Sequence, residues 1–212
     1  MQSVLLSVQA PTGPHGCDRG FRLLELRQGV EPSDTIDSPD RTMTIEIRQA
    51  TAGDAEAIGS LAAEFQSYLH ELGDETDFDW GAAKYQADGF GENPAFEGLV
   101  AEVDSRVVGY ALYHSGYDTD RGQRLIYLID LFVSQPFRRA GIGDQLMQCL
   151  SEVGRSRRAE YVVWSVLKGN PLATRFYERL GATHADKLHF MLWPIPPHQV
   201  SDAPRVSMGI AE

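Results

Sequence analysis

Pro136 to Met147 reads PFRRAGIGDQLM, and the fold turns on this stretch. Two arginines lead into glycines at 141 and 143. An apolar helical pattern follows, with Ile142, Leu146, Cys149, Leu150 and Val153 on one face. Before it, Arg124 to Val133 is an almost unbroken apolar run interrupted by Asp130, the pattern of a central strand covered on both faces. A strand, a glycine-bearing turn and a helix leave free backbone N–H groups at the helix N-terminus, where the helix dipole also favours an anion. Gly141 and Gly143 would let a ligand approach the backbone, and Arg138 and Arg139 would add charge at the rim. The stretch predicts a phosphate-binding turn.

Two familiar phosphate motifs do not fit. A nucleoside-triphosphate loop needs Gly-Lys-Ser/Thr, but Gly143 is followed by Asp144 and Gln145. A dinucleotide fingerprint needs a glycine where Leu146 stands. Taken alone, the turn is matched equally well by a plain helix start.

Working outward, Thr44 to Arg48 alternates as a strand. Asp54 is placed to cap a helix running to about His70, with Ile58, Leu61, Ala62, Phe65 and Leu69 on one face. Glu71 to Asp79 is acidic and non-periodic, a loop, and Trp80 to Asp88 reads as a second short helix. Gly98 to Val103 and Arg106 to His114 are strands joined by Asp104-Ser105, a hairpin signal, with a turn from Ser115 to Gln123. Glu160 to Val166 is rich in β-formers. Asn170, Pro171 and Gly181 are the cap, first residue and stop of a helix. Thr183 to Trp193 is expected to close the sheet. Residues 1–42 and the proline-rich 194–212 read as disordered extensions around a domain at 43–193, with Met43 a candidate start.

The whole chain of 212 residues carries 30 acids against 19 bases, a net charge of -11, which disfavours general nucleic-acid binding. From Asp54 to Asp104 there are 13 acids and one base, whereas Gln135 to Leu180 holds eight bases and four acids. One part of the chain suits a cation and the other an anion, although a solvated acidic surface accounts for any single carboxylate more simply. No apolar run is long enough for a membrane span. Cys17 and Cys149 are far apart and make no disulfide framework, which fits a cytoplasmic protein. The six histidines form no metal-site spacing, so no metal is expected.

The order Arg138-x-x-Gly141-x-Gly143 after a strand ending Leu131-Phe132-Val133, then Asn170-Pro171-x-Ala173-x-x-Phe176-Tyr177-x-x-x-Gly181-Ala182, resembles the GNAT superfamily of N-acetyltransferases. The resemblance covers roughly Thr44 to Trp193. The fold it implies is α/β, a mixed central sheet with a splayed central strand flanked by helices. It implies acetyl-CoA as acyl donor, with the pyrophosphate held by Arg138, Arg139, Ala140, Gly141, Ile142, Gly143 and Asp144, mostly through backbone N–H groups. The backbone of Leu131, Phe132 and Val133 would pair with the pantetheine arm. Asn170 would hydrogen-bond that arm, though helix capping alone explains it equally.

Tyr177 matches the tyrosine that many family members use as general acid toward the departing thiolate; packing of a helix tyrosine on the sheet is the simpler competitor. The strand Ile126 to Val133 is similar to that of diamine (spermidine/spermine-type) acetyltransferases, where an acidic residue tends to precede the aspartate. Ile129 holds that place here. Asp130 is therefore a candidate base, and a buried structural role accounts for it equally well. On the acceptor side, Asp74, Glu75 and Asp77 would attract a small cationic amine and Trp80 would wall its site. A protein or peptide N-acetyltransferase and a non-catalytic acyl-CoA-binding module are the alternatives. A homodimer is compatible with the resemblance, and the sequence contains no proof of one.

Overall fold

The computed structural model describes residues 44–188 other than 77. Five strands and four α-helices follow in the order β1 (Ile45–Gln49), α1 (Ala55–Glu71), α2 (Ala82–Phe90), β2 (Glu97–Val103), β3 (Arg106–Asp118), β4 (Gln123–Val133), α3 (Ile142–Ser156), β5 (Ala159–Val163) and α4 (Pro171–Arg179). The strands lie in sequence order in one sheet. β1 to β4 are antiparallel neighbours and β5 is parallel to β4, connected through α3. The sheet is mixed, as the α/β expectation requires. Asp104 and Ser105 make the two-residue β2–β3 turn with φ of 49° and 64°, the paired left-handed conformation that matches strand twist.

Alternation along the strands builds one core on each face. Leu99, Ala101, Ala111, Tyr113, Ile126 and Leu128 pack under α3 with Ile142, Leu146, Cys149 and Leu150. On the other face Val100, Tyr110, Leu112 and Phe132 pack with Ile58 and Leu61 of α1 and with Tyr85 of α2.

One irregularity positions the site. Leu112 pairs with Asp130 and Tyr113 with Leu128, so Ile129 is an extra residue in β4. Such a bulge reverses the side-chain parity beyond it. Leu128 faces α3; after the bulge, Asp130 and Phe132 face α1 and α2. Ile129 itself is left 44% exposed.

Several boundaries differ from expectation. Trp80 lies in the loop before α2, which starts at Ala82. β3 continues to Asp118, so the turn is shorter than Ser115 to Gln123; Asp118 closes it by accepting from the N–H groups of Asp120 and Arg121. Asp54 does not cap α1 through its side chain. Its carboxylate instead accepts from Thr51 and pairs with Arg48 at 2.7 Å, and Arg48 also reaches Glu102. Thr183 to Leu188 forms no strand. The rest of that segment, both extensions and Met43 lie outside the described residues.

Candidate active site

β4 and β5 pair only from Arg124 to Tyr127. Beyond Tyr127, β4 runs on for six residues while the chain after Val163 leaves the ladder. The parting of the two strands opens a cleft of about 980 Å³. Leu128 to Val133 line one side and Trp164 to Leu167 the other, with α4 alongside.

At one end lies the turn singled out in the sequence. Arg139 and Gly141 have φ of 67° and 79°. The first backbone hydrogen bond of α3 runs from the N–H of Gln145 to the carbonyl of Gly141 at 3.1 Å. The amides from Arg139 to Asp144 thus have no backbone acceptor among the described residues. Alternating handedness with free amides at a helix N-terminus is an arrangement that can cradle an anion.

The side chains of the turn behave differently from expectation. Arg138 does not stand free at the rim. Its Nε donates to the Val133 carbonyl at 2.8 Å, and its guanidinium lies 4.7 Å from the Tyr68 ring centre and 5.3 Å from that of Phe132. Arg139 remains exposed. Asp144 is held by Arg179 through two contacts of 2.8 and 3.1 Å, tying the start of α3 to the end of α4. A Cβ on Gly141 would meet nothing, so the turn needs that glycine for its positive φ. A Cβ on Gly143 would lie 3.2 Å from the Phe176 ring, so that glycine lets α4 pack close to the turn. Ala140 packs on the α3-side core. Ile142 is buried there as well.

Leu131 and Val133 pack against the α3-side core and Phe132 belongs to the other, and all three line the cleft. Asn170 is buried and makes two contacts of 3.0 Å: its Oδ1 accepts from the Ala173 N–H, capping α4, and from the Tyr68 hydroxyl of α1.

Tyr177 and Asp130 share the middle of the cleft. The Tyr177 ring packs against Trp164, with centres 4.7 Å apart. Its hydroxyl has no hydrogen-bond partner among the described residues. Burial, and then the charge of Asp130, holds that hydroxyl well above the usual tyrosine value. Asp130 accepts from the Tyr110 hydroxyl at 2.7 Å. Burial pushes its carboxyl up to about 6, against the opposing pull of Tyr110 and the Leu131 N–H.

Beyond Asp130 the cleft is walled by Phe65, Phe78, Trp80, Phe96, Leu112 and Phe132. Of the residues predicted to bind an amine, Trp80 is in this wall. Asp74 and Glu75 do not line the cleft, and Asp74 is engaged by the Thr76 hydroxyl and N–H. Asp77 lies outside the described residues. Sequence reasoning missed Tyr68, Tyr110 and Trp164. Tyr110 carried no signal beyond strand alternation, and Tyr68 none beyond a helix position beside Leu69. Among the described residues no group of three metal-ligating side chains occurs, and no helix is long and apolar enough to cross a membrane.

Known proteins agree with this architecture. The model of the acetyltransferase (GNAT) family matches residues 58–182. A thialysine N-epsilon-acetyltransferase from Bos taurus is 36% identical over 68% of this chain and 89% of its own length. A spermidine/spermine N(1)-acetyltransferase-like protein from Homo sapiens is 31% identical over 65% of this chain and 20% of its own length. Among solved structures, an integron cassette protein from the mobile metagenome of V. cholerae superposes with a TM-score of 0.62, 24% identity and coverage of 73% of this chain and 94% of that one. An aminoglycoside N-acetyltransferase in complex with CoA gives 0.58 at 18% identity, covering 74% and 99%. A sheet parted beside a glycine turn, with relatives of this similarity over most of the domain, means that the chain belongs to the GNAT family and is an acetyltransferase.

Proposed function

We propose that the protein moves the acetyl group of acetyl-CoA to a primary amine carried on a slender cationic molecule. The observation that carries this reading is the position of Asp130, a carboxylate inside an otherwise aromatic and aliphatic half-cleft, opposite the anion cradle. The relatives named above are a thialysine N-epsilon-acetyltransferase and a spermidine/spermine N(1)-acetyltransferase-like protein, and thialysine, spermidine and spermine each carry an amine at the end of a flexible chain. An aromatic and aliphatic half-cleft with one carboxylate in it suits such an amine better than it suits a folded protein surface.

In this mechanism the amides of residues 139–144 hold the pyrophosphate, and the unpaired edge of β4 holds the pantetheine amides. The acceptor enters between Trp80, Phe65 and Phe78. An ammonium cannot attack, so Asp130 takes its proton first, directly or through water. The amine lone pair then forms the C–N bond at the thioester carbon. Collapse breaks the C–S bond, and the electron pair leaves on sulfur. Tyr177 donates its proton to that sulfur, and the phenolate so formed takes up the second proton that the nitrogen sheds on becoming an amide, directly or through water. Burial, and then the charge of Asp130, make Tyr177 a reluctant donor at the outset. Once the amine proton has neutralised Asp130, the electrostatic part of that opposition is gone, so deprotonation of the acceptor eases the donation. No acyl-enzyme is required: the Cys149 side chain is buried in the core between α3 and the sheet.

Asp74, Glu75 and Asp77 act in this reading only at a distance, as part of an acidic surface that draws cations toward the acceptor side. The test is thiol release from acetyl-CoA over a panel of diamines, polyamines, basic amino acids, aminoglycosides and peptides, with Tyr177→Phe alongside. Turnover of slender amines that falls by about a hundredfold or more in the variant supports the reading. Preference for peptides over every small amine would overturn the acceptor class, and tight acetyl-CoA binding without turnover of any acceptor would overturn catalysis.

A further inference from the structure

Tyr110 has no place in the scheme so far, yet it is the most directly engaged neighbour of the carboxylate on which that scheme depends. It is fully buried at the centre of β3, on the face that carries α1 and α2. Its hydroxyl meets Asp130 at 2.7 Å only because the Ile129 bulge turns Asp130 to this face. Without the bulge, Asp130 would share the side of Leu128, toward α3. Asp130 is a carboxylate that accepts, so the phenolic proton of Tyr110 lies between the two oxygens. Bulge and strand tyrosine thus converge on one carboxylate.

We infer that Tyr110 is a positioning residue for acetyl transfer: its hydroxyl fixes the Asp130 carboxylate in the acceptor half of the cleft and favours its ionised, proton-accepting form. The inference rests on the reading of Asp130 as the proton acceptor. Few groups compete for control of that carboxylate. Tyr177 faces it from α4, and the Leu131 N–H touches it from its own strand. The elements on the α1 and α2 side present Phe65, Phe78 and Trp80, and Tyr68 stands farther along beside Arg138. The charged groups that share the cleft, Arg138, Arg139, Asp144 and Arg179, belong to the cofactor turn and the helix ends, and none of them acts on Asp130.

The experiment compares the parent, Tyr110→Phe, Asp130→Asn and the double variant in the full chain. Each is assayed with acetyl-CoA and the amine that the panel turns over fastest, across pH 5 to 9. Tyr110→Phe is expected to lower kcat while leaving KM for acetyl-CoA in place. Loss of the hydroxyl disfavours the carboxylate, so the acidic limb of kcat/KM should move upward from its parental position. A misplaced catalytic group costs up to about a hundredfold, which bounds the loss. In the Asp130→Asn background the same change should cost nothing further, because it acts through Asp130. An unmoved acidic limb, or losses that multiply in the double variant, would overturn the inference. Asp130→Asn with the parental rate and limb would instead remove the reading of Asp130 as base, a distinguishable failure. If Tyr110→Phe melts early, 3-fluorotyrosine at position 110 keeps the shape and strengthens the donor. The limb must then move downward, and a stationary limb overturns the inference.

Discussion

Asp130 is held in conflict with stability. Its carboxyl sits at about 6 in the folded protein against an ordinary 3.8, with burial the first cause. The folded state therefore keeps the proton where the unfolded chain has released it. Stability from this group is fullest below pH about 3.8 and is lost as pH rises to about 6, leaving a cost of up to about 3 kcal/mol at neutral pH. Asp130→Asn should accordingly raise Tm at pH 7.5 and give no gain at pH 4, while acetyl transfer collapses. Melts at the two pH values check this, and an unchanged Tm at pH 7.5 would count against a desolvated carboxylate. At the same scale, Asn170→Ala removes the cap of α4 and the acceptor for Tyr68. A loss of about 1 kcal/mol is expected from the cap alone, measurable by urea denaturation.

The two glycines of the turn separate backbone from packing at the scale of elements. Gly141→Ala has open space around it but would hold a side chain at φ 79°, a left-handed conformation costing roughly 1–2 kcal/mol. The distortion falls on the amides of the cradle, so acetyl-CoA affinity should weaken, as isothermal titration would record. Gly143→Ala adds a methyl 3.2 Å from the Phe176 ring. That strain is passed to α4, the helix of Tyr177, so kcat should fall by more than the affinity for acetyl-CoA. Steady-state kinetics on the pair would show opposite emphases. α1 is tied into the same assembly: Glu64 accepts from the Gln135 N–H at 2.7 Å, and Tyr68 reaches both Arg138 and Asn170.

Charge is the property of the whole molecule that bears on the acceptor. The segment from Asp54 to Asp104 carries 13 acids against one base, an excess no smaller than that of the whole chain, and it includes α1 and the loop residues Phe78 and Trp80 that wall the acceptor half of the cleft. Raising salt from about 0.01 to about 0.15 M shortens the screening length from about 30 to about 8 Å. KM for a cationic amine should therefore rise with salt, and neutralising Asp74, Glu75 and Asp77 together should flatten that rise. Equal salt dependence in the triple variant would confine amine recognition to the cleft itself. A chain of residues 43–193 is expected to retain kcat/KM and Tm, which would place both extensions outside the catalytic unit.

Most of the architecture was legible along the chain because it is local. The run from Arg124 to Val133, the Arg-Gly turn and the Asn170-Pro171 helix start are short patterns whose physics lies within a few residues. They place β4, α3 and α4 to within a few positions, and they point to an anion beside Gly141. What only the tertiary structure decided is which side chains meet. Period-two reading carries no information about where an extra residue breaks the period, so the Ile129 bulge, and with it the meeting of Asp130 with Tyr110, emerges only from the register of β3 on β4. Asp54 was diverted from its helix by Arg48, and Arg138 from the rim by two aromatic rings. Each of these outcomes is a competition between a local partner and one distant in sequence, and distance in sequence is what folding removes.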